Sequence, residues 1–405
     1  MNLIAEGPGS KVEGAGRTAA VTADHLAYLD ALRGVAILGV ILFHAGRLGA
    51  LPSLKDLDPL FEPVNSALQA VSGLGYLGVH LFLVVSGFSL AYGPLRRGCG
   101  KLNLGDFGRR RARRILPAYF VSLALWSFVA LMQGSRLARP SVWWDIPAHA
   151  LLVHNLFPAT VLTINGSFWS LGLEWQWYFC FPILLCLARR FGFRPILIAT
   201  LVLGVAWQRM AWFFFPDAQF QVGNAFYWAL PGRLFEFACG MAAAAVVVSG
   251  GQRAAYRAAI AVATLLPLLA VETLVESRTF GVWNDHMWGA VFGLGLIALS
   301  GVTPVWFTGR LLGRALSYAG TISYSLYLVH EPILRMVLVP ALIKLPPGIV
   351  FSAFWVLIFP LLVLCGLAFY RLFEAPWLKQ RGGGRADRQV ADLAIWSQKT
   401  SGARV

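Results

Sequence analysis

Ten stretches of about twenty predominantly apolar residues dominate this chain, at 32–51, 74–95, 115–133, 168–188, 195–215, 227–249, 257–275, 283–301, 318–343 and 348–370. A helix needs ~20 such residues to cross a bilayer, where every backbone N–H and C=O must find its partner inside the protein. The pattern predicts an all-α fold: a polytopic membrane helical bundle with about ten transmembrane helices. An eleventh apolar stretch, 146–164, holds two prolines and two histidines and reads as re-entrant or interfacial. Composition agrees, with 58% of residues hydrophobic and 13% charged, against ~25% charged in a soluble domain. So little charge cannot cover a water-exposed surface, which argues against a soluble enzyme, a nucleic-acid-binding domain and a disordered protein.

The charge that exists is biased, with 34 Lys and Arg against 19 Asp and Glu, a net +15. With the N-terminus inside, cytoplasmic segments carry more than three times as many Lys and Arg as outer ones. By the positive-inside rule this split favours both termini in the cytoplasm and an even number of spans, with lipid rather than nucleic acid as the surroundings; a multi-pass protein of the cell's inner (plasma) membrane is the expectation. Residues 1–25 read as a flexible cytoplasmic tail, 26–375 as the membrane domain and 376–405 as a basic flexible cytoplasmic tail. The five cysteines form no CxxC pair, and four lie in apolar runs, as small buried hydrophobes do. No internal repeat of the inverted-transporter kind is visible.

Ionisable side chains inside a bilayer cost about 2.5–3.5 kcal/mol each on insertion scales, so they mark candidate sites. Arg33 and His44 lie eleven residues apart, nearly on one helical face and ~16 Å apart along the axis. A cation at one end of a wall is thus aligned with an imidazole deeper in it, a layout suited to an elongated anionic ligand. Spacing alone leaves open that Arg33 snorkels to headgroups and that His44 is a packed polar residue. A buried neutral His is the usual general base. Glu174 could orient it, or could pair with an arginine instead. Arg109–Arg114, which opens the third run, holds Arg111 and Arg114; it reads as a phosphate clamp or simply as positive-inside topology. Arg233 and Glu236 are three apart and placed to pair on one helix face. His80, His330, Glu331 and Arg335 complete the intramembrane set.

Other signals are weak. His149 and His154 are five apart, a poor spacing for a helical metal pair, so no metal is expected. No Gly-rich phosphate loop or G-x-S-x-G serine elbow is present. Most of the fifteen Trp read as interfacial anchors, a few of which could stack on sugar rings.

Six blocks in order resemble the acyltransferase 3 family of integral membrane acyltransferases, over roughly residues 28–375. They are Tyr28-Leu-Asp-Ala-Leu-Arg-Gly34 with His44, an R-x10-H pattern; Gly78–Phe88, ending in Ser-Gly-Phe; Arg111-x-x-Arg114-Ile-Leu-Pro-Ala-Tyr119; Ser167–Tyr178, containing Trp169-Ser-Leu and Glu174; Arg233–Phe237 with Gly240; and Ile322–Pro332, containing His330. His80 stands where many members carry an acidic residue. Many relatives also append an extracytoplasmic SGNH-type esterase domain, which is absent from this sequence. The resemblance implies an acyl-CoA donor, most often acetyl-CoA, and a hydroxyl of a carbohydrate or glycolipid as acceptor. It also implies His44 and Glu174 as catalytic, with Arg33, Arg111 and Arg114 binding the donor on the cytoplasmic side. The competing reading is a transporter or flippase that moves a glycolipid without chemistry.

Overall fold

The computed structural model describes residues 10–49, 51, 62–98, 102–132, 142–215, 225–249, 252–275, 281–302, 305–338 and 345–379. Cys99, most of the loop lysines and the segments 1–9 and 380–405 lie outside them. Every regular element among the described residues is helical. The order is α1 (Ser10–Arg47), α2 (Glu62–Leu74), α3 (Leu77–Arg96), α4 (Leu104–Met132), α5 (Val142–Ala150), α6 (Trp169–Phe191) and α7 (Phe193–Phe214), then α8 (Leu230–Ser249), α9 (Gln252–Val275), α10 (Gly281–Leu299), α11 (Val305–Thr308), α12 (Leu311–Thr321) and α13 (Ser323–Pro332). A last rod contains α14 (Pro347–Ala353), α15 (Phe359–Phe369) and α16 (Ala375–Lys379), joined by wide turns at Phe354–Ile358 and Tyr370–Glu374.

Seven stretches of the described helices are long and apolar enough to span a membrane: Tyr28–Arg47, Ser66–Arg96, Leu104–Met132, Trp169–Phe191, Phe193–Phe214, Ala225–Ser249 and Gly348–Leu378. The three other expected runs fall on α9, α10 and the α12–α13 pair. That pair is one run in the sequence but bends at Ile322, which ends α12 and precedes α13. α1 reaches back to Ser10, through residues assigned to the N-terminal tail on composition. The 146–164 stretch contains only the end of α5, a short turn at His154–Leu156 and irregular chain, so it does not cross as a helix. Gly192, at φ +84°, closes α6 after Arg189 and Arg190, a helix stop of left-handed glycine with cations at the C-terminus.

Small residues set how closely helices meet, as is usual where lipid removes the hydrophobic drive between them. α3 and α8 touch backbone to backbone: a Cβ on Gly87 would collide with the Phe237 carbonyl, and one on Gly240 with the Val84 carbonyl. Around this contact Trp177 and Phe181 of α6 pack on Phe237, with the Trp177 and Phe237 rings stacked at 4.8 Å. All three side chains are fully buried. The bundle therefore has a tight seam, and the polar side chains gather beside it.

Candidate active site

Two adjoining cavities among the described residues hold most of the predicted site residues. The first, about 830 Å³, is lined by Arg33 of α1, Ser86 and Ser89 of α3, Arg111 and Arg114 of α4, Glu174 of α6 and Tyr324 of α13, among others. The second, about 1290 Å³, is lined by His44 and Arg47 of α1, Tyr76 and His80 at the start of α3, Trp169, Trp228, Arg233, Glu331 and Arg335. Val79 and Tyr327 line both. They form a waist between an arginine cavity and a histidine cavity. Arg33 and His44 therefore serve opposite cavities from one helix, as their eleven-residue spacing suggests.

In the arginine cavity Arg33 is fixed from two sides. Its Nη1 donates to Asp30 Oδ1 at 2.6 Å and its Nη2 to Ser89 Oγ at 2.7 Å. Arg111 sits over the rings of Phe107 and Tyr178, at 5.7 and 5.8 Å from their centroids. Glu174 Oε1 accepts from the Tyr178 hydroxyl at 2.7 Å and from Ser86 Oγ at 3.3 Å. Three guanidiniums and one carboxylate thus share one chamber, a set that matches an anion with several phosphate oxygens. Glu374 is buried nearby, where it accepts from Ser325 at 2.5 Å.

The histidine cavity has a different chemistry. His44 Nδ1 lies 2.9 Å from His330 Nε2. Glu174 lines the other cavity, so the structure gives His44 a histidine partner where a glutamate was expected. Sequence spacing could not show this pair, because 286 residues separate its members. Next to it Glu331 accepts from the Gly166 N–H at 2.9 Å and pairs with Arg335 at 2.7 Å. Ile164, just before this contact, has φ +61°, a strained value for a β-branched residue and one typical of functional loops. Trp169 and Trp228 stack on each other at 4.4 Å in the cavity wall.

A buried ionic cluster adjoins this cavity. Arg233 Nη1 is 3.0 Å from Glu236 and 3.1 Å from Asp285. His80 lies between the same two carboxylates, at 3.0 and 3.5 Å. The Arg233–Glu236 pairing follows from their i, i+3 spacing; Asp285 comes from α10, and its place inside the apolar 283–301 run was the signal that could have found it, although its partner was not readable.

α13 is held by an unusual device. In a regular helix the Leu328 carbonyl would accept from residue 332, but Pro332 has no N–H. Three side chains take its place: Trp126 Nε1 at 3.0 Å, Asn165 Nδ2 at 3.1 Å and Ser122 Oγ at 3.2 Å. Pro332 therefore ties α13 to α4 and to the 160s segment, and so fixes the helix that carries Tyr327, His330 and Glu331.

His149 and His154 stack at 4.0 Å away from both cavities, and burial pushes His149 down to about 4. Among the described residues no group of His, Cys, Asp and Glu is arranged to hold a metal ion.

The helical bundle thus joins a multi-arginine chamber to a cavity lined by one member of a buried histidine pair. A family model described as an acyltransferase domain matches residues 26–371, and the chain belongs to that family, of the acyltransferase 3 type. With seven apolar stretches among the described residues long enough to span, it is a multi-pass membrane protein. The peptidoglycan O-acetyltransferase OatA of Listeria monocytogenes is 23% identical over 344 residues, 79% of this chain and 51% of that one. YrhL of Bacillus subtilis is 26% identical over 402 residues, 92% of this chain and 58% of that one. The regulator of hypoxia-inducible factor 1 of Caenorhabditis elegans is 30% identical over 189 residues, 43% of this chain and 37% of that one. The chain thus spans about half the length of these relatives. No solved structure matches it significantly.

Proposed function

We propose that this chain is a membrane O-acyltransferase that moves an acyl group, acetyl in the first instance, from acyl-CoA to a hydroxyl of a cell-surface or periplasmic carbohydrate or glycolipid. The observation that carries the reading is the meeting of two unlike cavities at Val79 and Tyr327, one with Arg33, Arg111 and Arg114 and the other with His44. The basic end of α4 supports reading the arginine cavity as the one that faces the cytoplasm, where acyl-CoA is found, with the chain in the inner membrane. There the guanidiniums hold the donor's phosphates, and Glu174 keeps the chamber from excess positive charge. The pantetheine arm reaches the waist, which brings the thioester carbonyl to the histidine cavity. The acceptor enters that cavity from the other side, beside Trp169 and Trp228. OatA is named for peptidoglycan acetylation, which makes a glycan hydroxyl the first acceptor to try.

In the reaction, His44 takes the proton of the acceptor hydroxyl as the oxygen attacks the thioester carbon. The C–S bond breaks, the acyl group stays on the acceptor oxygen and the CoA sulfur takes the proton back from His44. Ester and free CoA thiol are the products. The test is labelled acetyl-CoA added to membranes that contain the chain or its His44→Ala variant. Acetyl incorporated into glycan by the parent alone supports the reading. Movement of glycolipid across the membrane without incorporation would replace it with transport.

A further inference from the structure

Resting on that reading, we propose that His330 is a positioning residue, which holds His44 in the one tautomer that leaves its Nε2 free to take the acceptor's proton. The hydrogen-bond directions around His330 carry the inference. His330 Nδ1 lies 2.9 Å from the Tyr327 carbonyl and 3.2 Å from the Leu326 carbonyl. Carbonyl oxygens only accept, so Nδ1 carries the hydrogen, and in the neutral ring Nε2 is a bare acceptor. That acceptor faces His44 Nδ1 at 2.9 Å. His44 must then donate from Nδ1, which places its lone pair on Nε2, the remaining nitrogen of a side chain that lines the histidine cavity. Fixing a base by a bond to its other ring nitrogen is the orienting role a carboxylate plays in a catalytic triad.

His330 itself is fully buried and is absent from the lining of both cavities, so it meets no substrate directly. Its backbone anchor depends on α13, which the Pro332 device pins to α4.

The test uses the full chain in membranes, supplied with labelled acetyl-CoA and purified peptidoglycan fragments as acceptor. His330→Leu removes the acceptor for the His44 Nδ1–H. The turnover rate should fall about 100-fold, within the range general-base catalysis contributes, while KM for acetyl-CoA changes less than about twofold. His330→Gln can place its amide oxygen near the position of Nε2, and should recover turnover to within about tenfold of the parent. Turnover in His330→Leu equal to that of the parent, or equal losses in both variants, would overturn the proposal. A second readout needs no acyl transfer: carbethoxylation of His44 by diethyl pyrocarbonate, followed by peptide mass spectrometry. It should be severalfold slower in His330→Leu and restored in His330→Gln; identical rates in all three proteins would overturn the proposal. If the parent transfers no acetyl, the function reading fails, and the modification rates still judge the histidine pair.

Discussion

The Tyr327 hydroxyl and Ser170 Oγ lie 2.7 Å apart, at the waist where the two cavities meet. Tyr327 also donates to the Ser167 carbonyl at 2.9 Å, so it accepts from Ser170. Phe82 meets the ring edge-on at 6.1 Å. One tyrosine is thus tied to α6 and to the residues before it, and it cannot swing into either cavity. Tyr327→Phe keeps the ring and removes one donor from the Ser167 carbonyl, which Ser170 Oγ at 3.3 Å can still reach, so the cost should be about 0.5–1.5 kcal/mol. Turnover should drop about tenfold through misplacement of the thioester, with donor affinity little changed. Initial rates against acetyl-CoA concentration check this, and a raised KM at unchanged turnover would contradict it.

The arginine cavity predicts a different split. Arg114→Lys and Arg111→Lys keep the charge but lose the fork that grips two phosphate oxygens at once. Each should weaken acetyl-CoA binding about tenfold, the equivalent of ~1.4 kcal/mol, and leave acceptor affinity unchanged. Binding of labelled CoA to the protein in nanodiscs measures this directly. Arg111→Lys also loses the planar contacts with Phe107 and Tyr178, so it should be the more damaging of the two for stability.

The Leu328 carbonyl offers a double-mutant cycle. Trp126→Phe deletes one of its three donors and should cost about 1 kcal/mol. Pro332→Ala returns an N–H to the helix and gives that carbonyl its ordinary partner. In the Pro332→Ala background the Trp126→Phe cost should shrink to a few tenths of a kcal/mol. Thermal unfolding of the four proteins in one detergent gives the coupling energy. Equal costs in both backgrounds would show that the proline does not create the demand for the indole.

Much of this site was legible before any coordinates. Arg33 and His44 share a helix, and 3.6-residue periodicity alone aligns them. Arg233 and Glu236 follow the same rule. Seven of the long apolar runs were readable as membrane-crossing helices because lipid demands such runs, and the 146–164 chain is irregular, in keeping with its reading as non-spanning; the break at Ile322 carried no comparable signal. What stayed hidden is what depends on non-local packing. His330 reaches His44, and Asp285 reaches Arg233, from distant helices whose register no local pattern encodes. Glu174 had two readings, a partner for His44 or for an arginine, and local sequence could not choose between them; it lines the cavity of Arg33, Arg111 and Arg114. Pro332 was visible throughout, and the missing N–H could have flagged Leu328 as a carbonyl in need of donors.

The ionic cluster beside the histidine cavity gives the largest stability effect expected. Arg233, Glu236 and Asp285 are each under 10% exposed, with distances of 3.0 and 3.1 Å from the guanidinium to the two carboxylates. Charges so buried are tolerated because they are paired; removing one partner strands the others. Arg233→Met should therefore destabilise the protein by about 3–5 kcal/mol. Converting the whole group, as in Arg233→Met with Glu236→Gln and Asp285→Asn, removes the stranded charges and should recover most of that loss. His80 would keep polar neighbours in the triple variant, since Gln and Asn can still accept its hydrogen bonds. Unfolding midpoints of the parent, single and triple variants in the same lipid nanodisc test the ordering. A triple variant less stable than Arg233→Met alone would mean that the network stabilises the fold through its hydrogen-bond geometry more than it costs in buried charge.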